Sequence, residues 1–402
     1  MRIALSFFLM GLLISAAASW RVYVDNQKTL RYRFDALTAD ISDLITDRFS
    51  LYEHGLRAMR GMVRAVGDER ITRNHIAVYT QTLNVMEKFP GTRGFGLIRR
   101  VPRGTEAAFL ARARADGASD FDIKELHPHE GDHFVIQYIY PIEKNPIATG
   151  LDIASESNRR AAALASARDD QPRLTAPITL VQSSGLTKHG FLILLPVYDD
   201  AAPISTPAER EAAAVAWAYS PLVIDELLVD LAPRLEEVGF AVSDAAETDA
   251  FYQSPKFSTA DNSREAINGV RELNVLGRTW RLHVHALPAF AANAHLVSPW
   301  IVFIALSVLF GACACAIYPA MRLRKRRLEA RDEQERMARG IVEAMPQALV
   351  VVNENGRIVH TNQNAVELFK YSREQLLGRA VTDLIPIAHR DGHAQLRAVC
   401  RD

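Results

Sequence analysis

Hydrophobic positions follow three regimes along this chain. Two uninterrupted apolar blocks, residues 3–20 and 297–318, carry no charge. They supply about 18 and about 22 apolar or small residues, enough for one helical membrane crossing each. Between residues 29 and 67 the apolar positions recur every three or four residues: Leu37, Ile41, Leu44, Ile45, Phe49, Tyr52, Leu56, Met59, Met62 and Val63, with charges between them. That period predicts one long amphipathic helix, a stalk over 21–66 rising from the first block. Thr72 and Asn74 offer a cap for a second helix that runs through Val85 and Met86 and ends at Phe89, Pro90 and Gly91. The period then shortens to that of strands, at 94–98, 134–141, 190–198, 215–219, 239–243 and 279–284. The run 190–198 is almost continuously apolar, as expected of a strand covered on both faces. Helices are predicted at 157–168, with an Ala-rich face, and at 220–231. The fold class is α+β.

Beyond the second block the pattern changes again. Residues 328–345 are charged and helical, with Leu328, Met337, Ile341 and Met345 on a sparse apolar stripe that fits a two-helix seam between protomers. Residues 348–360 read as a β-hairpin, because β-branched runs flank Asn355 and Gly356, a pair that tolerates positive φ. A short helix is expected at 364–371. Ser372 and Gln375 form a capping box for the next one, and Gly378 closes it.

Charge fixes the expected orientation. Arg322, Arg324, Lys325, Arg326 and Arg327 follow the second block directly, and such charge stays on the cytoplasmic side. Trp300 and Tyr318 lie near the block's ends, where amphipathic rings favour the interface. The chain is therefore expected to cross a bacterial inner membrane twice, with residues 21–296 in the periplasm and 319–402 in the cytoplasm. A cleavable signal peptide also describes the first block. Its apolar stretch is longer than the usual core of about 7–15 residues, which favours an uncleaved anchor over residues 1–20. With 47 basic against 47 acidic side chains, the whole chain has no general attraction to nucleic acid. Anionic lipid accounts for the one dense basic run. The three cysteines, Cys313, Cys315 and Cys400, all lie outside the exported region, whose fold must then hold by packing rather than by disulfides.

Several residues carry a family resemblance. The series Pro90, Gly94, Phe95, Arg100 and Pro102; Tyr138, Pro141, Asn145, Gly150 and Asp152; Leu174, Pro177 and Gln182; Gly190, Leu195, Pro196 and Tyr198 resembles the CHASE domain. That is the extracellular ligand-binding domain of plant cytokinin-receptor kinases and many bacterial sensor proteins. The resemblance spans about residues 50–290 and implies a PAS-like exported fold, with 67–296 as the sensor domain and its ligand held in the membrane-distal sheet. Met345, Pro346, Asn355, Gly356, Asn362, Ala365, Phe369, Tyr371, Leu377, Gly378, Leu384 and Pro386 resemble the start of a PAS domain over 346–402. A PAS fold needs about 100 residues, so its last strands are expected to be absent.

The resemblance also suggests binding positions. The acidic residue that pairs with the purine in cytokinin-binding members aligns with Arg159. A binding threonine aligns with Leu194, a leucine beside the ligand aligns with Val181, and Thr175 lies close by. Guanidinium donates hydrogen bonds and accepts none, so cytokinin is not expected as the ligand. Arg159 and Thr175, with Arg160 and Arg173, suit an anionic or carbonyl-rich molecule. His127, His129, Glu130, Asp132 and His133 are five possible metal ligands in seven residues. They fall in a polar connection expected to face water, and no metal or cofactor is assigned. Gly-rich nucleotide loops, His-Glu-x-x-His and Gly-x-Ser-x-Gly are all missing from the sequence, so no catalytic site is visible. The expected function is that of a membrane sensor, paired as a homodimer. It would relay ligand binding through the PAS region to an output module outside this chain, a histidine kinase or diguanylate cyclase. The alternative is a PAS-centred redox or gas sensor with His360, His389 or His393 as a haem ligand.

Overall fold

The computed structural model describes residues 2–179, 189–229, 231, 236–257 and 267–386. They divide into two compact units, residues 22–297 and residues 1–21 with 298–402.

In the larger unit the elements run in order through α1 (Arg2–Val66), α2 (Arg73–Thr82), α3 (Val85–Lys88), β1 (Phe95–Val101), α4 (Glu106–Ala115), β2 (Lys124–Glu125), β3 (His133–Tyr140), β4 (Leu151–Asp152), α5 (Ser157–Asp169), β5 (Arg173–Leu174), β6 (Ile178–Thr179) and β7 (His189–Tyr198). They continue through α6 (Pro207–Ala213), β8 (Ala214–Val223), α7 (Ile224–Leu228), β9 (Val238–Asp244), β10 (Ala250–Gln253), β11 (Asn268–Val275), β12 (Arg278–Ala286) and α8 (Pro288–Ala292). An eight-stranded sheet has the order β2-β4-β3-β1-β8-β7-β5, with β6 also on β7; a second sheet has the order β10-β9-β12-β11.

Alternation along β7 shows how the large sheet is covered. Phe191, Ile193, Leu195 and Val197 join the core built on α1 and the second sheet, whereas Leu192 and Leu194 join a separate layer under α5. Both faces are therefore buried, as the unbroken apolar run predicts. From α1, Leu30, Phe34, Ile41, Ile45, Phe49, Tyr52, Leu56, Met59 and Val63 enter the first core. The helix is thus packed along the domain over most of the predicted stalk, and the periodicity reads its buried stripe well. Leu44 alone among the predicted positions is clearly exposed, at 38%.

Some local expectations need correction. The predicted second helix breaks at Asn84, which adopts a left-handed conformation at φ 49°, so α2 and α3 are separate. The helix predicted from Ser220 begins only at Ile224, because β8 runs on through Pro221. Proline pushes the preceding residue towards extended backbone, which favours strand at Ser220, and the Pro221 carbonyl accepts the Arg93 N–H at 2.9 Å. Asp152 caps the 3₁₀ turn at Ile153–Ser155 that leads into α5, and Glu156 caps α5 itself by accepting the N–H groups of Asn158 and Arg159. Gly150 is required at its turn: its φ is +85°, and a Cβ there would sit 2.1 Å from the Asp122 carbonyl oxygen.

The smaller unit holds the first turns of α1 against α9 (Pro299–Ala344). Phe7 meets Phe310 edge-on at 5.8 Å, and Ser19 donates to the Pro299 carbonyl at 2.8 Å. A Cβ at Gly11 would strike Phe310 at 2.4 Å, so glycine lets the two helices approach closely here. Each helix contains a stretch long and apolar enough to cross a membrane. After α9 come β13 (Val350–Val352), β14 (Ile358–Thr361), α10 (Gln363–Phe369) and α11 (Arg373–Leu376). The predicted hairpin and the Ser372–Gln375 capping box are present, and Asn362 caps α10. In the hairpin, Gly356 takes the positive φ at +73°, and Asn353 Oδ1 accepts the N–H groups of Asn355 and Arg357. His389, His393 and Cys400 lie outside the described residues.

Candidate ligand-binding site

The layer under α5 is apolar almost throughout. Phe134, Ile136, Ile139, Leu192, Leu194, Trp217 and Val223 from the sheet meet Ala162, Ala163 and Ala167 from the helix. The small alanine side chains bring α5 close to the strands, and the Trp217 indole N–H donates to the Ala163 carbonyl at 3.0 Å. A cation and a phenol interrupt this layer. Arg159, in the first turn of α5, is only 4% exposed, and Tyr219 on β8 is fully buried.

Both placements are costly. A cation near a helix N-terminus opposes the helix dipole, and burial removes its hydration. Burial pulls the Arg159 guanidinium below its ordinary pKa, while the charges of Glu156 and Tyr219 hold it up. Glu156 Oε2 lies 3.7 Å from Arg159 Nε, a loose ion pair at the helix cap. Burial likewise pushes the Tyr219 phenol well above its usual value, and the charge of Arg159 draws it part of the way back. Among the described residues, nothing hydrogen-bonds the Tyr219 hydroxyl. The ring fits because Tyr219 stands opposite Gly96 on β1, where a Cβ would lie 2.5 Å from the ring edge.

The predicted positions fall as follows. Arg159 is inside the layer, and Leu194 lines it directly opposite Tyr219 in the β7–β8 register. Thr175 is fully buried but already engaged: its Oγ1 accepts the Leu192 N–H at 3.0 Å, and its own N–H donates to the Leu192 carbonyl. It serves as a clip between strands. Val181 lies outside the described residues. Arg173 is turned away into an ion pair with Asp169, and Arg160 contacts His129. Sequence reasoning missed Tyr219. Its only sequence signal was membership of a strand, because its importance arises from a helix some 60 residues earlier in the chain.

An open cleft of about 450 Å³ lies elsewhere, between α2 and the end of β3, lined by Arg73, Asn74, Ile76, Asp116, Tyr138 and Tyr140 among others. Its tyrosines and its aspartate already have partners. Tyr138 receives a hydrogen bond from Gln137 and reaches the Ile71 carbonyl, and Asp116 accepts the Arg73 N–H. The layer under α5 is therefore the stronger candidate: of the two, it buries a hydroxyl that lacks a partner among the described residues.

A family model for the CHASE domain matches residues 69–252, and one for the PAS fold matches residues 336–402. A solved structure described as an extracellular ligand binding receptor from Desulfohalobium retbaense DSM5692 is similar at 12% identity and a TM-score of 0.41. That match covers 63% of this chain and 40% of the receptor, and a likeness so distant says nothing about function. The first match lies within the α5-bearing unit, the second covers the hairpin-bearing region, and the chain carries a CHASE domain followed by a PAS fold, the pairing of a sensory receptor.

Proposed function

We propose that this chain is the input portion of a membrane receptor whose CHASE domain binds a small anionic or carbonyl-bearing molecule beneath α5. The observation that carries this reading is the buried Arg159 cation beside a Tyr219 hydroxyl that has no hydrogen-bond partner among the described residues. A carboxylate or carbonyl oxygen accepts from both a guanidinium and a phenol, and would repay the burial of each. The basic run after residue 318 supports a periplasmic CHASE domain and a cytoplasmic PAS domain. Leu328, Met337 and Ile341 are all more than half exposed along α9, which supports pairing of two chains through this helix. Ligand binding then acts through differential affinity for two arrangements of the paired helices, with the signal passing along α9 to the PAS fold and onward to an output module.

A thermal-shift screen of the full-length protein in nanodiscs, against small carboxylates, phosphate esters and neutral amides, tests the site. The expected result is stabilisation by an anionic or carbonyl compound that is lost in Arg159→Met and Tyr219→Phe. A hit that stabilises both folded variants as well as the wild type rules this site out.

A further inference from the structure

The connection between β2 and β3 does not face water as its composition suggests. His133 opens β3 and is 4% exposed, and His129 is partly buried, whereas His127 and Glu130 are exposed and Asp132 pairs with Arg100. Sheet order explains the inward turn. β2 pairs in parallel with β4, placing Glu125 opposite Asp152, and β4 also pairs with β3, whose first residue is His133. Glu125, His129, His133 and Asp152 consequently converge, with one donor atom from each lying within 4.8 Å of all the others.

The arrangement around Asp152 is built rather than incidental. Its side chain is fully buried. Oδ1 accepts the N–H groups of Phe134 at 2.7 Å and Ala154 at 2.9 Å, so the carboxylate is fixed in orientation. Oδ2 is left pointing at two imidazoles, His129 Nε2 and His133 Nδ1, both at 2.7 Å. Glu125 Oε1 stands 3.4 Å from the same His133 nitrogen and 3.8 Å from the same His129 nitrogen. Behind the rings, His133 Nε2 faces Glu106 at 3.6 Å, and His129 Nδ1 faces Arg160 at 3.1 Å.

We propose that these four side chains form a site for a borderline divalent transition ion of the zinc class. Two imidazole nitrogens and two carboxylate oxygens suit such an ion, whereas calcium and magnesium prefer sites made of oxygen alone. Metal–ligand bonds of about 2.0–2.2 Å in a tetrahedron separate neighbouring donors by about 3.3 Å, and the observed separations lie on both sides of that value. Only side-chain adjustment is needed: Asp152 and the histidines move slightly apart, and Glu125 draws in. The ring behind the metal also has its partner, because His133 would carry its hydrogen on Nε2 towards Glu106, the carboxylate–histidine–metal relay found around bound ions.

One consequence distinguishes this site from a chance cluster. Arg160 only donates, so without an ion His129 Nδ1 accepts from it and Nε2 carries the ring hydrogen to Asp152. Metal at Nε2 moves that hydrogen to Nδ1, where it opposes the guanidinium. Ion binding therefore releases Arg160, the residue next to Arg159 on α5. The site does not depend on the ligand reading above, since its readout is the metal alone.

The test is calorimetric titration of Zn²⁺ into chelator-treated full-length protein in nanodiscs, repeated with Mg²⁺ and Ca²⁺. One zinc per chain is expected, with Mg²⁺ and Ca²⁺ failing to compete at equal concentration. Co²⁺ in its place should give the visible absorption of a four-coordinate centre. His129→Gln and Glu125→Gln, on partly buried and exposed positions that leave the Asp152 amide contacts intact, should each weaken zinc by at least about tenfold. Arg160→Met should tighten it several-fold. Zinc binding that is unchanged in both folded ligand variants, or absent from the wild type, overturns the proposal. Unchanged affinity in Arg160→Met overturns the link to α5.

Discussion

The two faces of the large sheet bury tyrosines in opposite ways. On the α1 face, Tyr52 donates its hydroxyl to the Pro90 carbonyl and Tyr79 donates to the Gly55 carbonyl. Under α5, Tyr198 at the margin donates to the Ala167 carbonyl at 2.6 Å, but Tyr219 in the middle has no hydrogen-bond partner among the described residues and stands beside a guanidinium. The α1 face ties α1 to two sheets and itself buries the Trp280 indole N–H without a partner among the described residues. The α5 face buries an unpartnered phenol next to a guanidinium, and that neighbouring charge is what marks it as a site for a polar occupant.

The firmest way to test that contrast is to damage the α1 face. Trp280 is fully buried and contacts Phe49 at 5.2 Å, Phe191 at 5.4 Å and Phe251 at 4.8 Å, joining α1, β7, β10 and β12. Trp280→Ala should destabilise the full-length protein by about 3–5 kcal/mol in urea unfolding. A loss below about 1 kcal/mol would mean that α1 is not anchored by this cluster.

A pair of conservative changes compares the faces directly. Tyr52→Phe removes a made hydrogen bond and should cost about 1 kcal/mol. Tyr219→Phe removes a buried hydroxyl that lacks a partner among the described residues, and should stabilise the ligand-free protein by about 1–2 kcal/mol. Equal signs for the two variants would abolish the distinction. Alkaline titration followed by tyrosinate absorbance adds a second comparison. Burial pushes Tyr79 up to about 12, and Tyr219 well above its ordinary value. A raised tyrosine pKa contributes stability that is complete below the unfolded value near 10 and is lost as pH rises through the folded one. Tyr79 should therefore titrate near 12 while Tyr219 stays protonated until the fold opens. Early ionisation of Tyr219, before unfolding, would show that its site is wet.

What could be read from the sequence follows from how locally each feature is determined. The stripe on α1, the apolar run of β7, the cap at Thr72 and the capping box at Ser372 depend on residues a few positions apart, and the sequence displays all of them. The extension of β8 through Pro221 depends on Arg93, which is supplied by the turn before β1, and so could not be seen. Arg159 was reached through a resemblance rather than through a period. Tyr219 was not reached, because Gly96, Leu194 and α5 come from three separate stretches of chain. The inward turn of His129 and His133 was hidden for the same reason. Their composition looks polar and local, but the residues that receive them, Asp152 and Glu125, are brought there by strand pairing.

The smallest effect on stability should come from the residue that matters most to binding. Arg159→Met keeps an unbranched chain of similar length in the first turn of α5 and removes the charge. The cation's costs, desolvation and an unfavourable helix dipole, then disappear together with its interactions, the loose pairing to Glu156 at 3.7 Å among them. Glu156 continues to cap the helix through the Asn158 and Arg159 amides, which do not depend on the side chain that is changed. The net change in unfolding free energy should lie within about 1 kcal/mol of zero, while stabilisation by any anionic ligand disappears. A loss of 3 kcal/mol or more without ligand would instead make Arg159 a structural member of the layer, and the contrast between the two faces would fall with it.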